Sequence, residues 1–422
     1  MRYQAPTGTY DILPEDQAYW RFISEKTRET CSLYGYEQLD VPIFESTSLY
    51  ARNVGDSTDI VEKQMYSFDD RSGDSMTLRP EFTAGLVRSY VENKLYGRPK
   101  PLRLYTIGPA FRYERPQAGR YRQFMQIDVE VIGSQDPAID FEVMMVAWQL
   151  YGDLGLRDLL FQINSTGCPT CRPDYLKALA SYYQDHVSEI CEDCTRRLEK
   201  NPLRLLDCKN RPCQSIIEKA PQIVDSLCNE CSDHFAELRS YLDALDRPYT
   251  VNHRLVRGLD YYTKTVFEVW AEGIGAQSAI CGGGRYDGLT EMIGGPPTPA
   301  IGFASGMERV ILTMKHEGIE PPGIPKPTVG VAYLNAEAKG VAVNLVQALR
   351  EQHVGATALW ENRSLKAQMK HADRIGVDYT MILGEDELAA GTVTLRSMAD
   401  SSQSTVLRDD VIGIVTGKQD HR

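Results

Sequence analysis

The chain has 422 residues, with 58 acidic against 46 basic side chains and a formal net charge of −12. Its 42% apolar and 25% charged content, with 33 Gly and 22 Pro, suits two or three globular domains and excludes disordered and collagen-like chains. An acidic balance argues against coating nucleic acid or membrane by net charge, so any polyanion would have to meet local basic patches.

No run of eighteen apolar residues occurs, and the opening MRYQAPTGTY has no apolar core and no Arg/Ser-rich amphipathic pattern. A cytoplasmic protein without membrane contact is expected. Residues 15–34 carry Tyr19, Phe22, Ile23, Cys31 and Tyr34 at helical spacing between Pro14 and Gly35, which predicts a first amphipathic helix. The runs 64–68 and 75–79 flank DDRSGD as a hairpin, and 102–115 and 121–133 form a longer one around PQAGR. Hairpin connections imply an antiparallel sheet, interrupted by helices at about 81–96 and 137–155. All seven histidines lie at or beyond His186, so chemistry in residues 1–185 must use carboxylates, arginines or backbone. GIEPPGIPKPT, residues 318–328, holds four prolines and reads as a stiff linker. Beyond it VGVAYL, a helical stretch 336–352, ATALW, a second helical stretch 364–375, YTMILG and TVTLR alternate strand and helix as a small α/β domain.

The densest chemistry lies in FRYERPQAGRYRQF, residues 111–124, where Arg112, Arg115, Arg120 and Arg122 face only Glu114. Alone, this is an ordinary solvated hairpin. Strand alternation would point Arg112 and Glu114 together, and Phe124 with Gln126 on the returning strand. A cation, a carboxylate and an aromatic ring on one face suit a phosphate, an exocyclic amine and a flat base. LVRGLDYYTKTVFEV, residues 255–269, adds a cation, a close-approach glycine and two phenols, and alone would be a buried strand with a tyrosine pair. ICGGGRYDGL, residues 280–289, fails as a phosphate loop: the dinucleotide pattern finds Asp287 where Gly is needed, and the P-loop pattern finds Leu289 where Lys is needed. Its glycines instead suit close approach of a strand to a ligand.

Together these segments resemble the class II aminoacyl-tRNA synthetases, and within them the histidyl-tRNA synthetase family along nearly the whole chain. FRYERPQAGRYRQF is similar to the family's motif 2 and PAIGFASGMERVIL, residues 299–312, to motif 3, while 255–269 and 280–289 resemble the two histidine-specific segments. The resemblance implies an α+β fold. Its catalytic domain would span 1–160 and 250–320 and carry motifs 1 to 3. A Cys-rich helical module would be inserted at 161–249, and 326–422 would form an anticodon-binding domain. It implies Arg112, Arg257 and Arg309 as the catalytic cations. Arg112 and Arg257 would hold the α-phosphate and substrate carbonyl, and Arg309 the γ-phosphate. Phe124 would stack on adenine, with Glu114 near its amine. Glu81 and Thr83 would take the α-amino group of histidine, and Gln126, Glu130, Tyr261 and Tyr262 would line its pocket. Arg115 and Gln117 would meet the tRNA acceptor end. The substrates implied are L-histidine, ATP with Mg²⁺, and tRNA(His), and the assembly a homodimer. Two positions depart from the family. Met125 stands where many relatives have His, which alternation makes a packing change, and Phe82 stands where relatives have a small or polar residue.

Eight of the ten cysteines form four short-spaced pairs: Cys168/Cys171, Cys191/Cys194, Cys208/Cys213 and Cys228/Cys231. Eight thiolates would suit two zinc ions, with free buried thiols or redox-sensitive pairs as the competing readings. Residues 326–422 carry eleven Lys/Arg against twelve Asp/Glu, so nearly all excess negative charge lies before them. Within them Lys366, Lys370 and Arg374 recur at i+4 as one basic stripe, either a solvated helix face or a tRNA phosphate contact. The expected activity is histidine–tRNA ligation. The rival is a non-catalytic synthetase-like regulatory subunit of ATP phosphoribosyltransferase, against which the retained Arg257 and Arg309 motifs and the domain after residue 326 argue.

Overall fold

The structure is a computed structural model that describes residues 3–54, 60–271, 279–360 and 364–416. Short parts of the expected catalytic span (1–2, 55–59 and 272–278) and C-terminal span (361–363 and 417–422) therefore lie outside the described residues. The chain divides into two compact units, Met1–Pro322 and Gly323–Arg422, parted within the proline-rich stretch.

The first unit opens with helix α1 (Gln17–Leu33), which buries Tyr19, Trp20, Ile23, Thr27, Thr30 and Cys31 on one face. Strands β1 (Glu37–Gln38) and β2 (Phe44–Ser46) and helix α2 (Thr47–Val54) follow, then the hairpin β3 (Tyr66–Asp69) and β4 (Ser75–Leu78). Helix α3 (Thr83–Glu92) leads to the long hairpin β5 (Leu102–Phe111) and β6 (Gln123–Ile132). Helix α4 (Pro137–Asp153) starts where the Asp136 side chain accepts the Ala138 N–H at 2.9 Å and Pro137 fills the first turn. After β7 (Leu159–Ser165) the chain leaves the sheet for helices α5 (Arg172–Asp185), α6 (Glu192–Lys200), α7 (Arg211–Glu218) and α8 (Asn229–Ala244). It returns through β8 (Tyr249–Val251), β9 (Thr263–Ala271), β10 (Ala279–Arg285), the short α9 (Leu289–Met292), β11 (Ala300–Gly306) and α10 (Met307–His316).

Eight of these strands form one sheet in the order β1-β5-β6-β11-β10-β9-β7-β8, antiparallel throughout its middle and parallel only at the two edge pairs. Strands β2, β4 and β3 form a separate small sheet. The main core lies on one face of the large sheet, where α1, α4, α8 and α10 cover Ile127, Val129, Val131, Phe267, Val269, Ile301 and Phe303. The opposite face carries a smaller core around Val87, Tyr90, Leu104, Val266 and Tyr286, and leaves room for a cleft. The α5–α7 helices have a core of their own around Tyr175, Leu179, Tyr183, Leu205 and Ile217.

The second unit has a five-stranded sheet, β13 (Ala356–Ala358), β12 (Val329–Tyr333), β14 (Tyr379–Leu383), β15 (Thr392–Ser397) and β16 (Gln403–Leu407), in that spatial order. Helix α11 (Ala336–Glu351) covers one face through Ala338, Ala342, Leu345 and Leu349, and α12 (Leu365–Ile375) sets Ala372 against Ala332 on the other. The last two strands pair antiparallel, so the sheet is mixed rather than parallel throughout. Helix α13 (Glu385–Ala390), β16 and α14 (Val411–Thr416) go beyond the sequence reading. They are short, and β16 is almost wholly exposed, so it has no apolar alternation to reveal it.

One buried ionic cluster ties the first unit together. Arg285, fully buried at the end of β10, pairs through Nη2 with Asp140 Oδ1 of α4 at 2.6 Å, and the other Asp140 oxygen meets His234 Nε2 of α8 at 2.8 Å. Arg285 Nη1 also reaches Asp287 at 3.2 Å and the Ser134 carbonyl at 2.9 Å. Removing Asp140 would leave buried Arg285 with Asp287 as its remaining counter-charge and His234 without its acceptor, so Asp140→Ala should lower unfolding stability by about 3–5 kcal/mol in a denaturant titration. A loss below about 1 kcal/mol would mean the cluster does not hold α4 to the sheet.

Candidate active site

Strand alternation builds the floor of the site. In β6, Met125, Ile127, Val129 and Val131 enter the main core, while Phe124, Gln126, Asp128 and Glu130 face the other way. The neighbouring strand β11 pairs Gly302 with Glu130 and Gly306 with Gln126, and β10 pairs Gly282 with Glu268. These small residues are a steric requirement. A Cβ at Gly302 would lie 1.6 Å from Glu130 Oε2, and one at Gly282 would lie 2.4 Å from Arg257 Nη1.

The resulting cleft has a volume of about 920 Å³ and narrows into an inner pocket of about 40 Å³. The inner pocket is lined by Glu81, Thr83, Arg112, Gln126, Glu130, Arg257, Tyr261 and Tyr262, the full set expected around a histidine, together with Asp128 and Tyr286. The outer cleft is lined by Arg112, Glu114, Phe124 and Arg309, the set expected around ATP.

Each cation is held in place. Arg112 Nε donates to the Pro80 carbonyl at 2.8 Å, and its guanidinium lies 5.2 Å from the centre of the Phe124 ring. Arg257 pairs with Glu268 of β9, whose second oxygen accepts the Trp270 indole N–H at 2.8 Å. Burial opposes the Arg257 charge, but the Glu268 carboxylate outweighs it and the pKa rises. Arg309 of α10 donates to the carbonyls of Ala279 at 2.5 Å and Gly119 at 3.2 Å. Burial, reinforced by the nearby Arg120, lowers its pKa.

The pocket carboxyls are strongly perturbed. Burial pushes Glu130 up to about 8, against hydrogen bonds from Tyr286 Oη at 2.5 Å and Thr83 Oγ1 at 2.7 Å that favour its anion. Burial also raises Asp128 well above the usual range, with Glu130 and Glu81 adding to the shift. Glu81 is raised by burial, although it accepts the Ala84 N–H at 3.1 Å. Gln126 Oε1 and Asp128 Oδ2 are buried without a protein hydrogen-bond partner. Unpaired buried acceptors beside arginines make a site for a ligand that brings its own N–H groups.

One expectation fails in its reasoning. Strand β5 ends at Phe111, and residues 112–122 form an irregular loop closed by the Gln117–Arg120 bridge. Arg112 and Glu114 reach the cleft from that loop and are not placed by strand alternation; the Glu114 N–H donates to the Arg112 carbonyl at 2.8 Å. Glu114 is paired with Arg120 at 3.1 Å. Both departures from the family are resolved as packing. Met125 packs against the main core, and Phe82 is fully buried beside Val41, Leu86 and Ala110 with the Arg79 guanidinium 4.0 Å from its ring centre.

Arg115 and Gln117 stand exposed on the loop. Lys366, Lys370 and Arg374 lie in the second unit, exposed along one side of α12, with Arg374 donating to His371 Nδ1 at 2.8 Å. The cysteines gather into two sets of four, Cys168, Cys171, Cys228 and Cys231, and Cys191, Cys194, Cys208 and Cys213.

The histidyl-tRNA synthetase sequence profile matches residues 8–310, and an anticodon-binding-domain profile matches 328–418. The chain belongs to the histidyl-tRNA synthetase family. A histidine–tRNA ligase of Dehalococcoides mccartyi is 49% identical over 97% of this chain and 98% of its own length. One of Pelotomaculum thermopropionicum is 52% identical over 96% of each. Apo histidyl-tRNA synthetase of Staphylococcus aureus shares the fold with a TM-score of 0.84 at 38% identity, covering 98% of this chain and 100% of that one.

Within this family member the sequence reading missed Asp128, Glu268, Tyr286 and Glu308. Asp128 sits between Gln126 and Glu130 on the same strand face, so the alternation already used would have found it. Glu308 accepts the Met125 N–H at 2.9 Å and the Tyr10 hydroxyl at 3.3 Å, and burial lifts it to about 7. Nothing in the sequence joins Tyr10, Met125 and Glu308.

The Glu130 shift predicts a pH dependence. Below about 4.5 both folded and unfolded states hold the proton; as pH rises toward 8 the unfolded carboxyl ionises first. Ligand-free stability should therefore fall across this window, this group contributing up to about 1.4 kcal/mol per pH unit. Glu130→Gln should flatten the slope in denaturation curves taken from pH 4 to 9, and an unchanged slope would remove Glu130 as its source.

Proposed function

We infer that this chain is a histidine–tRNA ligase: it joins L-histidine to ATP as histidyl-adenylate, releasing pyrophosphate, and then passes histidine to the 3′ end of tRNA(His). The observation that carries this reading is the inner pocket, where unpaired buried acceptors and two arginines converge beneath a cleft large enough for a nucleotide. Full-length relatives named for this activity support it, and they do not favour the regulatory-subunit alternative.

In the proposed roles, Glu81 and Thr83 take the α-ammonium, while Gln126, Glu130, Tyr261 and Tyr262 surround the imidazole. A ligand whose two ring nitrogens both find partners is distinguished from isosteres by about 10⁴–10⁵, because wrong ligands leave buried polar groups unpaired. Arg112 and Arg257 flank the α-phosphate as the histidine carboxylate oxygen attacks phosphorus in line and the bond to the pyrophosphate oxygen breaks. Arg309 steadies the γ-phosphate, Phe124 stacks on adenine and Glu114 accepts its amine. Glu268 acts through Arg257 as a positioning residue. Use of ATP and Mg²⁺ follows from the family, and a bound ion would supply charge neutralisation on the triphosphate beside Arg112, Arg257 and Arg309.

The tRNA would meet Arg115 and Gln117 near the site and the Lys366, Lys370, Arg374 stripe on α12. Exposed Ile43, Phe44 and Phe68 at the small sheet offer an apolar surface that a second copy would cover in a homodimer. Work in the cytoplasm is what membership of this family suggests; among the described residues no helix is long and apolar enough to cross a membrane. Each four-cysteine set has the donor chemistry of a structural zinc site.

Histidine-dependent exchange of pyrophosphate into ATP tests the reading, and a chain that binds histidine without exchange would be the regulatory form. Arg257→Ala should lose at least about 3 kcal/mol of transition-state stabilisation, roughly 10²-fold in kcat/KM for exchange. Near-normal exchange would remove Arg257 from the α-phosphate. Neutralising Lys366, Lys370 and Arg374 together should lower the slope of log tRNA affinity against log salt by up to about three while adenylation is kept. An unchanged slope would make the stripe a solvated helix face.

A further inference from the structure

The two cysteine sets do not follow chain order. The first pair joins the fourth and the second joins the third, so the inner set is nested within the outer. Their spacing is informative. Zinc–thiolate bonds of about 2.3 Å at tetrahedral angles put neighbouring sulfurs about 3.8 Å apart, whereas a disulfide needs about 2.05 Å. The Sγ···Sγ distances are 3.8 Å for Cys168–Cys171, Cys168–Cys228 and Cys191–Cys208, and 3.9 Å for Cys194–Cys213. Backbone N–H groups already point at the sulfurs, Thr170 to Cys168 and Asn210 to Cys208 at 3.4 Å, and Cys191 to Cys213 at 3.3 Å. Such donors orient and stabilise metal-bound thiolates.

We propose that two zinc ions in these sets brace residues 252–264, the segment carrying Arg257, Tyr261 and Tyr262, so that metal loading governs histidine binding. The proposal rests on the ligase reading and adds a metal-dependent support to its amino-acid pocket.

The set of Cys168, Cys171, Cys228 and Cys231 holds the C-terminal end of that segment. Arg172, next to Cys171, donates to the carbonyls of Thr166 at 2.8 Å, Gly167 at 3.2 Å and Tyr262. The Lys264 N–H donates to the Gly167 carbonyl at 2.8 Å, and its ammonium pairs at 2.7 Å with Glu230, next to Cys231. Lys264 has φ +49°, a conformation that costs a lysine energy and persists where its surroundings impose it.

The set of Cys191, Cys194, Cys208 and Cys213 reaches the segment at Arg254, near its start, and at Asp260, beside Tyr261. Gln214, next to Cys213, donates to the Cys208 carbonyl at 2.6 Å and accepts from Arg254. Asn201, between the two cysteine pairs of this set, donates to Asp260 at 3.0 Å. Cys208 and Asn210 themselves line the cleft with Arg257. A set that loses its metal loses the cross-link between these short helices, and with it the fixed position of Gln214 and Asn201.

The test uses the full chain purified under reducing, metal-replete conditions. Elemental analysis should find two zinc ions per chain, and Cys191→Ser with Cys208→Ser should leave one. In pyrophosphate exchange that variant should raise the histidine KM about tenfold or more while the ATP KM moves less than about twofold. Cys208→His, which keeps a zinc-competent Cys₃His set, should restore both zinc and KM. Asn201→Ala with Gln214→Ala should keep two zinc ions yet raise the histidine KM in the same direction, since it removes the two polar links to Asp260 and Arg254 and spares the thiolates. A zinc-free wild-type chain with normal exchange would overturn the metal sites. Loss of one zinc with unchanged histidine KM, or a normal KM in the Asn201/Gln214 variant, would overturn the brace and leave the ligase reading standing. A wild-type chain with two zinc ions and no exchange would instead overturn the ligase reading and the brace with it.

Discussion

Glu130 can sit at the floor of the inner pocket because the residue across from it on β11 is Gly302. Any side chain there would collide with the carboxyl, and the strands would have to part. The same trade recurs at Gly282, which leaves the space that Arg257 occupies. Glycine weakens a strand by removing packing and raising unfolded-state entropy. The sheet compensates on its other face, where Ile127, Val129, Val131, Phe267, Val269, Ile301 and Phe303 are buried under four helices. One face thus supplies the stability that lets the other carry ionisable groups.

Those groups are chosen by charge as well as shape. The chain is anionic overall, yet its cleft is lined by eight basic against five acidic side chains. Arginines suit this place better than lysines because a planar guanidinium stays charged when buried and holds several acceptors in fixed directions. Arg257 shows the arrangement: Glu268 stabilises its charge and is itself fixed by Trp270. A cation oriented before the reaction needs no reorganisation when charge develops on phosphorus.

The sequence was most legible where a local rule applied. Hairpins at 64–79 and 102–133 followed from strand-like runs around turn residues, helix α1 from its apolar spacing between Pro14 and Gly35, and the shared face of Phe124 and Gln126 from alternation, whereas Glu130 came from the family resemblance. Reasoning failed where long-range contact decides. The loop 112–122 is positioned by Pro80, Gln64 and Gly8, which give it carbonyl or backbone partners from three distant segments, so strand alternation had nothing to act on there. The Arg285–Asp140–His234 cluster joins residues up to 151 positions apart counting its Ser134 contact, and no local pattern announces it. The family resemblance named residues that local rules could not reach, such as Glu81 and Arg309, but it left Glu268 and Asp128 unnoticed.

The cysteine-rich helices illustrate why an inserted module can become part of an active site. Its two ends leave and rejoin the sheet at β7 and β8, adjacent parallel strands, so the insertion needs no change in sheet order. Helix α8, its last element, already belongs to the main core through Phe235, Leu238 and Leu242 and to the ionic cluster through His234. The module is therefore anchored on the core side by apolar burial and on the cleft side by polar links to residues 252–264 together with Val256, which packs against the module's small core. Burial of a helix face is insensitive to ångström-scale shifts, whereas a hydrogen bond to Asp260 or Arg254 is not. Small helices with a modest core of their own cannot hold such links in register without a cross-link, because short chains bury too little surface to be rigid. Zinc held by the two proposed tetrathiolate sets would supply that rigidity where the module meets the segment.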